Sequence, residues 1–223
     1  AGDLVRIDAQ LGVDPFSDKA LDAVSAARGL SWGAPALVCG PPAELADQRD
    51  SLADHLPAAL AIIVISTIGL IFLMTRSLVL PLLALLMNAL TVSVAFGVLV
   101  FVFQDGRLEG LLDYTSQGAL DTSMPILLFA VAFGLSTDYG VFLLQRISEE
   151  RRPGRSESDA IAAGLARSGR PVTAAALLFA VAMGAFVFSD LVFIKEVAVG
   201  TAIAVLVDAT LVRALLFPAV LGL

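Results

Sequence analysis

The sequence predicts an α-helical polytopic membrane protein, with five transmembrane helices preceded by a partial α/β subdomain. Three observations carry that expectation. Hydrophobic residues make up 58% of the 223 residues, charged ones only 16%, and mean hydropathy is +0.88, far above what a soluble core of this size requires. The apolar residues fall into five separate runs, each near the roughly 20 residues a helix needs to cross hydrocarbon. Most charges lie before the first run or in two of the connections.

Residues 1–56 are the soluble-looking portion, with four Lys or Arg against nine Asp or Glu. LVRIDAQL at 4–11 alternates apolar and polar, as a strand with one buried face does. Ser17 is placed to cap a helix over 18–28, in which Ala20, Leu21, Val24 and Ala27 recur at helical spacing. ALVCG at 36–40 reads as a second strand, ended by Pro41-Pro42 before a polar helix at roughly 43–55. A strand, helix, strand unit this small needs a larger extramembrane domain around it. The chain opens on Ala1, inside an expected strand and without a leader, as a fragment of a longer protein would.

Residues 57–223 form the transmembrane domain. The spans fall at about 57–75, 78–103, 125–144, 171–189 and 194–218, with Arg76 and Ser77 making the turn between the first two. In 107–115 the residues Leu108, Leu111, Leu112 and Thr115 share a helical face, which fits a short in-plane helix or a plain polar loop. In 156–168, Ser156 and Asp159 open a capped helix with Ile161 and Leu165 one turn apart. Segment 145–170 holds six arginines (146, 151, 152, 155, 167, 170), whereas 104–124 holds only Arg107 against four acids. The positive-inside rule then puts 145–170 and the C-terminus on the cytoplasmic side, with 1–56 outside.

The net charge of −7 argues against a nucleic-acid partner, which calls for clustered Lys and Arg. One cysteine, Cys39, and one histidine, His55, leave no intrachain disulfide and no Cys/His metal cluster. No cofactor is expected.

Within PILLFAVAFGLSTDYGVFLL at 125–144, only Asp138 carries charge near neutral pH. An Asp at a span's centre costs about 2.5–3.5 kcal/mol, so such residues face protein or a wet cavity and often relay protons. Gly134, Leu135, Val141 and Phe142 share its face, while Ser136, Thr137 and Gly140 keep the helix slim. On the residues alone Asp138 reads as a proton site; the alternatives are a hydrogen bond to a neighbouring helix or a place near the inner interface, a short way before Arg146. Asp208 in the fifth span is the second membrane acid, with Arg213 beyond it as a loose compensating charge that snorkels toward the cytoplasm; a structural role and a secondary polar site are both open. Asn88 reads as interhelical glue, and Lys195 and Glu196 as ordinary interfacial charge.

Three blocks, RSLVLPLLALLMN at 76–88, AFGLSTDYGVFLLQRISEE at 132–150 and KEVAVGTAIAVLVDATLVRALLFPA at 195–219, together resemble the second half of the mycobacterial membrane protein, large (MMPL) family of the resistance-nodulation-division superfamily. The resemblance covers nearly the whole chain. It implies a proton-motive-force-driven exporter of lipids or hydrophobic small molecules, with protons as coupling ion, an Asp138-Tyr139 relay pair, and residues 1–56 as the end of an extracytoplasmic porter domain. Its implied partners are a missing N-terminal half with its own Asp-Tyr pair, membrane lipids and the substrate. Two other readings compete: a non-transporting accessory or lipid-sensing module on the same helices, and an intramembrane aspartyl protease using Asp138 and Asp208.

Overall fold

The computed structural model describes residues 5–116, 118–121, 123–150 and 157–221. Among them every regular element is helical. The chain divides into two compact units, Ala1–Ile63 and Val64–Leu223.

In the first unit, α1 (Asp18–Arg28) covers the expected helix, with Ser17 at its N-cap. The cap works differently from the expectation, since the Ser17 hydroxyl accepts no bond from a helix N–H and instead donates to the Asp14 carbonyl at 2.6 Å. α1 buries Ala20 and Val24, and the start of α2 (Pro41–Thr75) buries Ala43 and Leu45. Arg28 grips both oxygens of Asp47, at 2.5 and 2.9 Å, which ties α1 to the first turns of α2. That hydrogen bond, reinforced by charge attraction, holds the Asp47 carboxyl below its ordinary range. The strands expected at 4–11 and 36–40 are absent from the described residues, where 5–11 and 36–39 follow no regular element. Strand-like alternation becomes a strand only beside a partner that completes its ladder, and Val5, Ile7 and Leu37 stand exposed.

Two expected boundaries disappear. The polar helix at 43–55 and the first span are one continuous helix, α2, with Pro57 inside it and Pro41-Pro42 as its first two residues, where a missing N–H costs nothing. Likewise α6 (Glu157–Gly184) runs from the expected 156–168 helix through Pro171 into the fourth span; its expected cap, Ser156, lies outside the described residues. A proline removes one backbone bond and crowds one carbonyl, a local defect that membrane helices tolerate.

The second unit holds the end of α2 and the four later spans. α3 (Val79–Leu99) continues into a π-helical turn, Val100–Gln104; α4 (Glu109–Leu112) is a single turn within 107–115, the rest of which is not helical; α5 runs Met124–Glu150. α6 ends in a 3₁₀ turn, Ala185–Phe188, and α7 (Val192–Val207) continues as a π-helix, Asp208–Leu216, into α8 (Phe217–Leu221). Among the described residues five helices are long and apolar enough to cross a membrane, as many as the expected spans. The turn between the first two includes Arg76 in the left-handed region, φ 53°.

α5 packs against α3, α6 and α7, and α7 packs against α3 and α6. Small residues set the closest approaches: a Cβ on Gly164 of α6 would stand 3.0 Å from the Ile147 backbone of α5, and one on Gly200 of α7 would press on Leu99 and Leu128. Two apolar cores result. One gathers Ile71, Leu83, Met87, Leu143, Ile147 and Val212; the other gathers Val92, Ala95, Leu99, Met124, Leu128 and Ala204.

Candidate functional site

Between the two cores α3, α5 and the final span each contribute polar side chains at the same level. On α3, Met87 belongs to one core and Val92 to the other, with Asn88 and Thr91 between them. Ser136 on α5 lies between Ala132 and Leu143, and Asp208 lies between Ala204 and Val212. Asn88, Thr91, Ser136, Asp208 and Arg213 are all buried.

Asp208 and Arg213 form the centre. Arg213 Nε donates to Asp208 Oδ2 at 2.5 Å, with the two side chains only 9% and 3% exposed. The expectation of a loose compensation by a snorkelling arginine is corrected here, because the guanidinium points into the bundle. The backbone gives the reason. In an α-helix, five residues rotate a side chain by about 500°, leaving the two roughly 140° apart, whereas Asp208–Leu216 is π-helical and its i to i+5 bonding brings Arg213 over Asp208.

The guanidinium makes further contacts on α5. Nη2 donates to the Ser136 carbonyl, and the group lies 5.6 Å from the centre of the Tyr139 ring, in cation–π range. Gly140 keeps that approach open, since a Cβ there would already touch Nη1 at 3.5 Å. Ser136 Oγ lies 2.6 Å from Asp208 Oδ1 and 2.5 Å from Asn88 Oδ1. A hydroxyl has one proton, so the carboxylate and the amide compete for it. Asn88 donates onward to Thr137 Oγ1 at 2.9 Å, and Thr91 Oγ1 stands 3.5 Å from Asp208 Oδ1. A buried ion pair holds only when its remaining lone pairs and protons are met in this way.

Asp138 is not part of this network. It is exposed on α5 and makes no hydrogen bond or ion pair among the described residues, while its neighbour Tyr139 is half-buried under Arg213. Tyr139 and Arg213 also line a cavity of about 300 Å³ between α5, α6 and the π-helix, with Ser168 and Thr173 on its α6 wall. The structure therefore joins Tyr139, Asp208 and Arg213 and leaves Asp138 on another face. Two acids sharing a proton, as an aspartyl protease requires, are not seen: Asp208 is held by Arg213 and Ser136. Ser136 and Thr91 went unread as site residues. Their signal was present, since small polar residues at the level of a membrane acid are its natural donors.

At the end of the bundle where α3 stops, the π-turn leaves carbonyls without helical partners. Tyr114 O–H donates to the Val102 carbonyl, and Ser116 Oγ lies 2.6 Å from the Phe103 carbonyl. Burial pushes the Tyr114 hydroxyl above its ordinary range. Lys195 and Glu196, expected as interfacial charges, are buried on α7.

Five helices long and apolar enough to cross a membrane among the described residues, with an ion pair buried where α3, α5 and the final span meet, fit a multi-pass membrane protein. The MMPL family model matches residues 2–223, and the chain belongs to that family. It is 48% identical over 191 residues to the trehalose monomycolate exporter MmpL3 of Mycolicibacterium smegmatis, covering 86% of this chain and 19% of that protein. It is 43% identical over 203 residues to the exporter of the same name from Mycobacterium tuberculosis strain H37Rv, covering 91% and 21%. With the mycolic acid-containing lipids exporter MmpL11 of M. smegmatis it shares 35% identity over 226 residues, covering 99% and 24%. These relatives are exporters and not enzymes, and the chain spans only about a fifth to a quarter of their length.

Proposed function

We propose that this chain is the C-terminal part of a proton-motive-force-driven exporter of lipids or hydrophobic small molecules, with Asp138-Tyr139 as its proton-relay pair. The relatives' printed substrates, trehalose monomycolate and mycolic acid-containing lipids, support the lipid class. In this reading residues 1–56 close an extracytoplasmic α/β porter domain, the arginine-rich segment 145–170 is cytoplasmic, and the N-terminal half of the same transporter covers the exposed face of α5.

The observation that carries the proposal is the pair of adjacent residues on α5. Asp138 is exposed within a span, at a depth where a carboxylate must face protein or water. Tyr139, one residue on, is stacked under Arg213 inside the bundle. A proton arriving at Asp138 changes the charge beside the tyrosine, and the tyrosine reports that change to the Arg213–Asp208–Ser136 network. Ser136 then shifts its single proton between Asp208 and Asn88, and the three helices exchange one hydrogen-bond pattern for another. The one bond made and broken is the O–H bond of the Asp138 carboxyl, formed as the proton enters and broken as it leaves; the proton gradient supplies the direction.

The test is lipid export from proteoliposomes holding the full-length transporter under an imposed pH gradient. Asp138→Asn is expected to abolish gradient-driven export while the protein remains folded. Full export by that variant at every imposed gradient would sink the relay assignment.

A further inference from the structure

Lys195 and Glu196, side by side on α7, are 4% and 3% exposed, and the relay does not use them. They do not serve each other. Lys195 Nζ donates to the carbonyls of Leu112 and Asp113 at 2.5 and 2.6 Å, which pins the single turn of α4 to α7 just where Asp113 takes a left-handed conformation, φ 50°. Glu196 keeps its Oε2 atom buried and without a hydrogen-bond partner among the described residues. The backbone N–H of Asp121 reaches its carboxyl group.

The charges around Glu196 do not neutralise it. From the loop that follows α3, the titratable groups that act on it are an acid, Asp121, and a phenol, Tyr114, whose hydroxyl is committed to the Val102 carbonyl. From its own helix comes Lys195, committed to the two carbonyls. Residues 79–104 of α3 and its π-turn, 124–137 of α5, and 171–188 of α6 and its 3₁₀ turn contain no titratable side chain. A buried carboxylate with one bare oxygen, next to a second acid, is a costly arrangement. A single proton on Glu196 removes the charge and gives the carboxyl a donor of its own.

We propose that Glu196 is a proton-binding site at this end of the bundle: with its proton it lets loop residues 105–116 and Asp121 stay seated on α7, and without it the loop lifts away. Lys195 is the fixed half of the attachment and Glu196 the half that titrates. The site is separate from Asp138 and does not depend on the exporter reading.

The experiment is an infrared pH titration of the membrane-reconstituted protein, paired with hydrogen exchange of the loop peptides corrected for intrinsic rates. The wild type is expected to show the carbonyl stretch of a protonated glutamic acid, shifted by isotope labelling of glutamate carboxyls, that fades as pH rises. Loop exchange should climb in step, by about tenfold per pH unit, because one proton links the two states. Glu196→Gln is expected to lack the band and to lose the pH dependence of loop exchange, whereas Asp138→Asn keeps both. Loop exchange that follows pH equally in Glu196→Gln would overturn the proposal. So would the absence of an isotope-shifted acid band in the wild type, a measurement that needs no variant to fold.

Discussion

Replacing Arg213 with glutamine tests the centre of the bundle directly. The change removes the Nε bond of 2.5 Å to Asp208 and the bond to the Ser136 carbonyl, and leaves the carboxylate with Ser136 Oγ at 2.6 Å and Thr91 Oγ1 at 3.5 Å. Two unit charges about 4 Å apart attract by roughly 4 kcal/mol at an effective dielectric constant of 20. That agrees with the roughly 3–5 kcal/mol lost when one partner of a buried pair is removed. The folded-to-unfolded ratio should therefore fall by about two to three and a half orders of magnitude. Asp208→Asn should cost less, because the guanidinium keeps the Ser136 carbonyl and the Tyr139 ring. The double variant should lose less than the sum of the two, since no charge is then left buried without its partner. Stability is read by circular dichroism of the protein in mixed micelles titrated with dodecyl sulfate. A loss of under about 1 kcal/mol for Arg213→Gln, or full additivity in the double variant, would refute the assignment of this pair as the polar keystone of the bundle.

Two further outcomes follow from the packing and the charges. Gly164→Ala puts a Cβ 3.0 Å from the backbone of Ile147, so α5 and α6 must separate, at about 1–3 kcal/mol in the same unfolding assay; unchanged stability would show that the two helices do not meet there. In the first unit, the Arg28 hydrogen bond depresses the Asp47 carboxyl, so the pair's contribution is full above the ordinary carboxyl range and is lost as pH falls through the lowered value of the folded state. Carboxyl chemical shifts should show Asp47 titrating below its ordinary 3.8, and Arg28→Gln should move it back up.

Much of the fold could be read from the chain. The expected spans each overlap one long apolar helix, α1 matches 18–28, and within 107–115 a single helical turn forms at Glu109–Leu112. The misreadings share a cause, which is that local pattern does not report three-dimensional neighbours. Pro57 and Pro171 look like helix boundaries, yet the apolar surface on both sides holds one helix together through each of them. LVRIDAQL alternates like a strand but has no ladder partner among the described residues. Lys195 and Glu196 sit near the start of a span and read as interfacial, until the loop after α3 folds over them.

Five spans are a one-dimensional property, fixed by the length and apolarity of each run, because hydrocarbon demands about 20 residues that satisfy their own backbone bonds. Run length and apolarity alone therefore make this a polytopic membrane protein, and the STDY block lies on the helix that brings Ser136 and Tyr139 to the buried pair. Only the tertiary structure decided which charges meet. A π-helical stretch, invisible to a 3.6-residue periodicity, turns Arg213 onto Asp208, and packing of α3 and α5 brings Ser136, Asn88 and Thr91 to that pair while leaving Asp138 on the outer face. Electrostatic energy depends on distance and on what surrounds the charges, and neither is set until the helices pack.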